Sequence, residues 1–305
     1  MSFSVTILGS SGAVPAYGRY PSAQLVCIQN EYMLVDCGEG AQIQLFRYGC
    51  PVQRINHIFI SHLHGDHYLG LMGLLFTLHL NHRTNDLHLY SHRGLQDIII
   101  TQLKYSSSAL RFRLIFHELT PGKAETILDS KHFTVSTIPL KHKLNCSGFL
   151  FREKSKPRRI DKTVLPSGLS IRELNALKAG DDIRHEDGTV RFTNASLTLK
   201  PRKSRSYAYC SDTAYDERLV NIIREVDVLY HETTFMEADR DKAEETLHST
   251  AAQAAHIARL ANCERLLIGH FSARYIEMEP LLAEAQAVFI NTELALEGKT
   301  FTLAE

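Results

Sequence analysis

The chain has 305 residues, enough for one large domain with a hydrophobic core. Hydrophobic residues make up 44% and charged residues 22%, and the zero formal net charge excludes a surface uniformly coated in positive charge. No apolar run approaches the ~20 residues that span a bilayer, and the N-terminus lacks the pattern of a secretory signal, so we expect no membrane partner. Six scattered cysteines without a CxxC pair predict reduced thiols and a cytoplasmic protein. The 16 histidines are the unusual feature of the composition.

In chain order, short β-rich runs alternate with helical patterns, and many of the runs end at Asp, Glu or His. The predicted strands are FSVTILG, AQLVCIQ, YMLVDCG, HIFISH, LHLYSH, FTVSTIPLKH, SYAYCSD, VDVLYHE and RLLIGHF. The predicted helices are GAQIQLFRYG, LGLMGLLFTLHL, DERLVNIIREV and TAAQAAHIARLA. Thr250, three residues before Gln253, is typical of a capping box at the start of the last helix. This alternation predicts an α/β architecture with a site along one edge of the sheets.

The stretch 152–196 interrupts the alternation. It contains the basic, strand-poor run REKSKPRRIDK, one helical pattern, LSIRELNALKAG, and the loop-like GDDIRHEDGT. We interpret 152–196 as an insertion that projects from a single domain of residues 1–305, and the alternative is a surface excursion that binds nothing. The segment KPRKSRS after it is predicted to be a hairpin turn between the strands SLTLK and SYAYC.

The stretch SHLHGDH places His62, His64, Asp66 and His67 directly after an apolar run that predicts a strand. Neutral imidazoles and carboxylates are ligands of zinc, at about 2.0–2.2 Å from the ion. His62 and His64 are two residues apart and point the same way in an extended loop, whereas Asp66 and His67 can face a second point. One short loop therefore supplies ligands for two metal ions.

SHLHGDH resembles the HxHxDH signature of the metallo-β-lactamase superfamily. The resemblance implies an αββα four-layer sandwich, with two zinc ions per chain or manganese as the alternative metal. It also implies three further ligands at the ends of later strands, for which the sequence offers His142, Asp212 and His270. The implied ligands of the first metal are His62, His64 and His142. Those of the second metal are Asp66, His67 and His270, and Asp212 is implied to bridge the two metals.

Further motifs resemble the ribonuclease Z family within that superfamily. VLYHETTF is similar to its His-Glu-Ala-Thr motif, with Thr233 in place of the usual alanine, and LHST at 247–250 is similar to the His-Ser-Thr that follows. The opening VTILGSSGAVP and the closing GHFSARY match the same family in type. The resemblance implies a homodimeric endoribonuclease that hydrolyses a phosphodiester bond of precursor tRNA, removes the 3′ trailer and leaves a 3′-hydroxyl on the tRNA.

The expected chemistry agrees with this assignment. Two zinc ions clamp the charged oxygens of a phosphodiester and generate hydroxide near neutral pH. Asp66 is predicted to be the base that handles the proton of the attacking water. His248, oriented by Glu232, is predicted to be the acid that protonates the leaving oxygen, because the ordinary pKa of histidine lies near neutrality. Ser272 and Arg274 are predicted to meet the scissile phosphate, and the alternative for Arg274 is a surface ion pair.

The insertion 152–196 is expected to bind RNA. Ribonuclease Z holds its substrate with a flexible arm after the first lone metal histidine, and the basic segment lies at the corresponding place, although the Gly-Pro-containing motif of that arm is absent. Cations there bind phosphates with little reading of sequence. The predicted contacts with precursor tRNA are Arg152, Lys154, Lys156, Arg158 and Arg159. A second basic cluster either lines the same surface or solubilises a hairpin: Lys200, Arg202, Lys203 and Arg205.

Two other functions stay open for this sequence. One is a general phosphodiesterase, or another hydrolase of the superfamily, that acts on small substrates and has no need of the insertion. The other is a homologue without metal or catalysis that only binds RNA. The complete set of predicted ligands speaks against the second alternative, because a degenerate member is expected to have lost at least one of them.

Overall fold

The computed structural model describes residues 2–304, which divide into two compact units, one of residues 2–152 with 206–304 and one of residues 153–205. The strands are, in chain order, β1 (Phe3–Gly9), β2 (Ala23–Ile28), β3 (Glu31–Val35), β4 (Ile55–Phe59), β5 (Leu87–Ser91), β6 (Leu114–Glu118), β7 (Thr126–Asp129), β8 (Phe133–Leu140), β9 (Cys146–Glu153), β10 (Arg159–Ile160), β11 (Ile183–Arg184), β12 (Val190–Phe192), β13 (Thr198–Leu199), β14 (Ser206–Cys210), β15 (Val228–Glu232), β16 (Arg265–Gly269), β17 (Thr292–Leu294) and β18 (Thr300–Thr302). The helices are α1 (Ala41–Arg47), α2 (Gly65–Tyr68), α3 (Leu71–Leu80), α4 (Leu95–Tyr105), α5 (Ile171–Ala179), α6 (Asn194–Leu197), α7 (Leu219–Ile222), α8 (Arg240–Thr246), α9 (Ala251–Leu260) and α10 (Glu279–Val288). Among residues 2–304, no helix has the length and apolar character needed to cross a membrane.

The first unit contains two large sheets. One has the strand order β18-β1-β2-β3-β4-β5-β6, and the other has the order β17-β16-β15-β14-β9-β8-β7. Strands β3 to β6 pair in parallel in the first sheet, and β14 to β17 do so in the second. The carboxyl ends of parallel strands meet at one edge of a sheet, so the polar residues that follow these strands gather there.

The two sheets pack face to face over an aromatic and aliphatic core. Phe59 of β4 contacts Phe149 and Phe151 of β9, with ring centroids 5.3 and 5.8 Å apart. The outer face of the first sheet shares a second core with the leucines of α3, and the outer face of the second sheet shares a third with the alanines of α9. Each helical layer thus covers one apolar sheet face, and the predicted αββα four-layer sandwich is confirmed.

Helix α9 begins where the sequence predicts it. The Oγ1 atom of Thr250 accepts a hydrogen bond from the backbone N–H of Gln253, and the Gln253 side chain accepts one from the backbone N–H of Thr250. These bonds satisfy two of the backbone donors that a helix start leaves free. They also fix the position of the chain just before the helix, which carries His248.

Two predictions of secondary structure are wrong. KPRKSRS does not join a hairpin, because β13 pairs with β10 whereas β14 pairs with β9 and β15. The helix predicted over DERLVNIIREV is reduced to the single turn of α7, and Glu225 behind it adopts a left-handed φ of 56° that no helix continues through. Helices α4 and α10 have no counterpart among the helices predicted from the sequence.

The second unit, residues 153–205, has a small core of its own. Leu177, Ile183 and Leu197 are buried in it. Helix α5 starts with a capping box, in which the Ser170 hydroxyl accepts from the backbone N–H of Glu173 and the Glu173 carboxylate accepts from that of Ser170. This order is local, and it comes from capping and a few apolar contacts rather than from a large sheet.

Arg205 lies within the second unit as a buried cation. Its Nη2 and Nε atoms donate to Glu153 at 2.7 and 3.0 Å, and Arg205 is only 1% exposed. Burial alone would raise the pKa of Glu153, but hydrogen bonds from Arg205 and Lys156 outweigh it and lower that pKa to about 2. The sequence prediction that Arg205 lines an RNA-binding surface or solubilises a hairpin is therefore wrong, because its charge is consumed by a buried ion pair.

Candidate metal centre

Four loops at the carboxyl ends of strands bring the predicted ligands together. The loop after β4 carries residues 62–67, and the loops after β8, β14 and β16 carry His142, Asp212 and His270. The ligand atoms of these side chains form two groups, each within 4.8 Å, at the base of an open cleft of about 630 Å³. The parallel pairing of β14, β15 and β16 explains why loops so far apart in sequence meet at one edge.

The first group consists of His62, His64, His142 and Asp212. Nδ1 of His64 lies 2.9 Å from Nε2 of His62 and 3.2 Å from Nε2 of His142. Oδ2 of Asp212 lies 3.5 Å from the first of these Nε2 atoms and 3.8 Å from the second. Ligands of a tetrahedral zinc ion lie ~3.4 Å from one another, so these four atoms are spaced to hold one metal.

The second group consists of Asp66, His67, His270 and again Asp212. Oδ2 of Asp66 lies 3.4 Å from Nε2 of His67 and 3.3 Å from Nε2 of His270. Oδ1 of Asp212 lies 3.3 and 3.2 Å from the same two nitrogens. Asp212 therefore turns one oxygen toward each group, which is the arrangement required of a bridging carboxylate.

The electrostatics of His67 fit a bound cation. Its Nδ1 donates to Asp36 at 2.8 Å, while Nε2 is buried and makes no hydrogen bond within residues 2–304. Burial would lower the pKa of His67, but the carboxylates of Asp212, Asp66 and Asp36 raise it well above its ordinary value. The surroundings thus demand positive charge, and a metal ion supplies it while leaving the imidazole neutral as a ligand.

The histidines of the first group are prepared as neutral ligands. Burial is the main cause that lowers the pKa of His62, His64 and His142. Nδ1 of His142 donates to the backbone carbonyl of Leu247 at 3.0 Å, which leaves the lone pair of Nε2 directed toward the group. Metal ligands must be deprotonated, so both features favour coordination.

Asp36 is a buried carboxylate that is not among the site residues predicted from the sequence. It accepts hydrogen bonds from the backbone N–H of Ser61 at 2.7 Å, from the hydroxyl of Tyr209 at 2.7 Å and from His67. It holds a left-handed φ of 55°, a costly conformation for a residue with a side chain. A carboxylate behind a metal-binding histidine fixes its tautomer and ring orientation. The only signal in the sequence was a strand that ends at Asp36, with no motif around it.

The loop after β1 packs directly on the second group. The backbone N–H of Ala13 donates to Oδ2 of Asp66 at 2.7 Å. A Cβ atom at Gly12 would lie 2.8 Å from Cε1 of His270, so this approach of backbone to ring requires glycine. Ala13 and His270 both have left-handed φ values, 64° and 60°. The opening motif VTILGSSGAVP thus supplies a strained backbone support for two ligands.

His248 and Glu232 lie beside the two groups. Nδ1 of His248 is 2.9 Å from Oε1 of Glu232, and its Nε2 is 4.0 Å from Oδ2 of Asp212. Glu232 is fully buried and also accepts hydrogen bonds from the backbone of Ser249 and from both the backbone and the hydroxyl of Thr234. Burial would lower the pKa of His248, but Glu232 raises it to about 9. The pair therefore offers a protonated imidazole in a fixed orientation.

Ser272 and Arg274 differ in their surroundings. Ser272 lines the cleft. Nη1 of Arg274 donates to Asp239 at 2.6 Å, and its guanidinium lies over the ring of Phe235, 5.0 Å from the centroid. Arg274 thus makes an ion pair, the alternative that the sequence left open for it, while Phe235 forms part of the cleft wall.

The basic residues predicted to contact RNA are not equivalent. Arg152, at the end of β9 in the first unit, is exposed, as are Lys154 and Arg159 in the second. Lys156 is half-buried and pairs with Glu153 at 2.8 Å. Arg158 is half-buried too, and its Nε donates to the hydroxyl of Thr198 at 2.7 Å. Two of these cations, Lys156 and Arg158, therefore also stabilise their own unit. The other three, Arg152, Lys154 and Arg159, are exposed.

A family model described as "Anti-Pycsar protein Apyc1" matches residues 3–167, slightly more than half of the chain, and places that half in this family. The matched stretch contains the strands from β1 to β10 and the SHLHGDH loop. It ends before Asp212, Glu232, His248 and His270, so it covers only part of the candidate metal centre.

Relatives that match the whole chain are named ribonuclease Z. The protein of Cytophaga hutchinsonii is 48% identical over 305 residues, which are 100% of this chain and 97% of that protein. That of Bacteroides fragilis is 43% identical over 302 residues, 99% of each. Among solved structures, the short form of human tRNase Z superposes with a TM-score of 0.73 at 27% identity, covering 99% of this chain and 100% of that one. The metallo-β-lactamase fold protein YhfI of Bacillus subtilis, at 21% identity and a TM-score of 0.69, shares the fold over 99% of this chain and 100% of its own. With identity of this level over its full length, the chain belongs to the ribonuclease Z family and has the metallo-β-lactamase fold.

Proposed function

We propose that this member of the family is an endoribonuclease of tRNA 3′ processing, which hydrolyses the phosphodiester bond between a precursor tRNA and its 3′ trailer. The observation that carries the proposal is the full-length identity to ribonucleases Z in a chain whose ligand atoms converge in two groups. The likeness to the short form of human tRNase Z supports tRNA as the substrate.

Zinc is the proposed metal, with two ions per chain and manganese as the alternative. Histidine nitrogens combined with carboxylate oxygens are a donor set that zinc favours. When bound, two such ions lower the pKa of water and offset the negative charge of the phosphate. His62, His64 and His142 would hold the first ion. The second would be held by Asp66, His67 and His270, and Asp212 would bind both.

Asp66 is proposed to receive the proton of the attacking water. Burial would raise its pKa, but the imidazoles of His67 and His270 keep that pKa well below its usual range, so the carboxylate stays ionised. Its Oδ2 is held by the backbone N–H of Ala13 at 2.7 Å. Its Oδ1 accepts no hydrogen bond within residues 2–304 and is therefore the oxygen that orients the water.

His248 is proposed to protonate the leaving oxygen. Glu232 holds Nδ1 at 2.9 Å, which leaves a proton on Nε2 beside the cleft. As the bond between phosphorus and the 3′-oxygen of the tRNA breaks, that oxygen takes the proton. The tRNA keeps a 3′-hydroxyl, and the trailer leaves with a 5′-phosphate. A positioned acid of this kind contributes ~10²–10⁴ in rate.

The insertion that the sequence predicts over 152–196 is proposed as the arm that holds the tRNA, and most of it lies in the second unit. Exposed cations bind the phosphates of a folded RNA by counterion release, with little dependence on sequence. Lys154 and Arg159 of this unit are exposed. A substrate held by its shape at a distance from the cut explains how a cleft open to any phosphodiester selects tRNA precursors.

We also propose a homodimer in the cytoplasm. The six cysteines are free thiols, as expected in a reducing compartment. Helix α1 leaves Ile43 and Phe46 more than half exposed, 55% and 52%, which is apolar surface suited to a partner. Light scattering after gel filtration measures the mass in solution, and a mass of one chain would contradict the dimer.

The central test is cleavage of a precursor tRNA with a 3′ extension, followed by mapping of both new ends. We expect one cut near the discriminator base, a 3′-hydroxyl on the tRNA and a 5′-phosphate on the trailer. Metal analysis of the same preparation should give two zinc ions per chain. If the protein leaves precursor tRNA intact but hydrolyses bis(p-nitrophenyl) phosphate, a general phosphodiesterase is the correct function instead.

Removal of the arm tests its part separately. Because Arg152 pairs with Ser206 in antiparallel register, deleting 153–205 and inserting an Asn-Gly turn closes the remaining chain as a hairpin. The shortened protein is expected to lose precursor tRNA cleavage by roughly 10²-fold or more, since several phosphate contacts disappear. Hydrolysis of bis(p-nitrophenyl) phosphate should persist and shows that the first unit is folded. Unchanged tRNA cleavage would contradict the arm.

A further inference from the structure

We propose that Lys143 binds a non-bridging phosphate oxygen of the RNA backbone at the metal centre, an inference that rests on the function proposed above. Lys143 directly follows the ligand His142 and lines the cleft together with His64, Asp66 and His248. Among the cleft-lining residues within 2–304, it is the one lysine, and there is no arginine.

The cleft needs such a cation because three carboxylates line it. Asp66, Asp212 and Glu39 line it, and the buried Glu232 lies behind His248. An RNA strand brings further negative charge at every nucleotide. Bound metals offset the charge at the scissile phosphate, whereas the phosphates on either side of it must be met by the protein.

The ammonium group of Lys143 is available for this contact. Throughout residues 2–304, no hydrogen bond or ion pair involves its side chain, and the residue is exposed. By contrast, the guanidinium of Arg274, the other cation near the cleft, already pairs with Asp239. A lysine with no partner in the protein can donate to a phosphate oxygen without first breaking another contact.

The backbone holds Lys143 in place. The neighbouring Lys141 donates its N–H to the hydroxyl of Thr213 at 3.1 Å and accepts at its carbonyl from the N–H of Ala214 at 2.9 Å. His142 is tied to the carbonyl of Leu247 at 3.0 Å. The base of the lysine side chain is thus fixed beside the first ligand group, and only the flexible end has to find the phosphate.

The position of Lys143 also assigns it a side of the cleft. It directly follows His142 of the first ligand group, whereas the cleft-lining Ser272 lies two residues beyond His270 of the second. An RNA strand that crosses the two-metal centre therefore meets this cation beside the first ligand group. The contact proposed for Lys143 is with the phosphate that flanks the scissile one on the side of the first group.

The chain offers a matched control in Lys141. It lies on the other side of His142 in sequence and is also exposed, but it does not line the cleft, and its charge acts on Asp216 instead. K141M and K143M therefore remove the same charge from the same segment. Any effect of net charge alone, or of disturbing His142, appears in both variants.

The experiment measures kcat and KM for precursor tRNA at several salt concentrations, for the wild type, K143M, K143R and K141M. K143M is expected to raise KM roughly 10-fold or more, because a hydrogen bond to a charged group is lost. The slope of log(kcat/KM) against log salt should become shallower by about 0.7–0.9, the value for one phosphate contact. K143R should restore most of both quantities, and K141M should match the wild type.

Three other results would overturn the proposal. If K143M behaves like K141M, Lys143 does not contact the substrate. If K143M loses zinc, or loses kcat at unchanged KM, it acts on the metal centre and not on a flanking phosphate. If the wild type does not cleave precursor tRNA at all, the proposed function fails and the contact fails with it. If the wild type cleaves precursor tRNA and K143M is unaltered, only the Lys143 contact fails and the proposed function stands.

Discussion

The metal centre and the second unit use charged residues in opposite ways. In the centre, His62 and His67 are fully buried, Asp212 is 2% exposed, and neighbouring backbone holds strained conformations. In the second unit, Lys154 and Arg159 are exposed around a core of three buried aliphatic residues. Groups that take part in a reaction must be held to a few tenths of an ångström, which demands packing and satisfied hydrogen bonds. Groups that grip a polyanion, the role proposed for Lys154 and Arg159, need only their charge near water, so they tolerate a small and local scaffold.

Removing the bridging carboxylate should have the largest effect. Asp212→Ala deletes both oxygens that face the two ligand groups, so we expect loss of metal and a fall of kcat/KM by roughly 10⁴-fold or more, since metal ions supply several kcal/mol. Zinc content by mass spectrometry and cleavage of precursor tRNA measure the two effects. Asp216→Ala is the control, because Asp216 is an acid of the same loop that pairs with Arg218. Full zinc occupancy in the Asp212 variant would contradict the bridging role.

His248→Ala separates proton transfer from metal binding. The imidazole lies beside both groups without belonging to either proposed ligand set, so the variant should keep its zinc and slow cleavage by ~10²–10⁴. His256→Ala serves as the control, since His256 lies on α9, is hydrogen-bonded to Tyr215 and is outside the centre. Metal analysis and single-turnover rates make the comparison. Equal metal loss in the His248 and Asp212 variants would rule out the role of His248 as the acid.

Asp36→Asn should have an intermediate effect. The variant keeps the shape of the side chain but removes the charge that accepts from His67, Tyr209 and Ser61. Loss of a carboxylate behind a metal-binding histidine lowers metal affinity or activity by about 10–100-fold. Competition with a chelator measures the affinity, and Asp97→Asn on α4 is the control. Unchanged affinity would show that Asp36 supports the fold alone.

The sequence predicts the parts of the site that are encoded in neighbouring residues. SHLHGDH predicts four ligands because a chain turn places them together, and strand-ending His142, Asp212 and His270 follow from a family pattern. The structure brings all of these side chains into two groups.

Residues whose roles depend on tertiary contacts are missed or misread. Asp36 is one acid at one strand end until Tyr209 and His67 fold onto it. Lys143 is one of many lysines until the cleft forms beside it. The sequence around Arg205 suggests a basic surface. Its partner Glu153 is distant in sequence, so no local pattern predicts the ion pair. The hairpin predicted at KPRKSRS is wrong for the same reason. The strands on either side of this segment, β13 and β14, pair with β10 and β9, which lie earlier in the chain, and not with each other.

The buried pair of the second unit gives the smallest effect on chemistry and a distinct dependence on pH. The folded-state pKa of Glu153 is about 2, below its ordinary value of 4.5. The pair therefore stabilises the unit fully above about pH 4.5, and this contribution is lost as the pH falls from there toward 2. Glu153→Gln removes the carboxylate to which the buried Arg205 donates, and breaking such a pair should cost about 3–5 kcal/mol at neutral pH.

Hydrogen exchange over residues 158–200, corrected for intrinsic rates, measures this at pH 7, 5 and 3. The difference in exchange between wild type and Glu153→Gln should be large at pH 7 and smaller at pH 3. At pH 3 the ion pair of Glu153 no longer contributes its full stabilisation to the wild type. Hydrolysis of bis(p-nitrophenyl) phosphate at neutral pH should be unchanged, since the metal centre lies in the first unit. A difference that is constant from pH 7 to pH 3 would mean that the shape of Glu153, and not its charge, supports the scaffold. In that case packing, and not an ion pair, would stabilise the second unit, as packing does for the metal centre. The two regions would then differ only in how exposed their charged residues are.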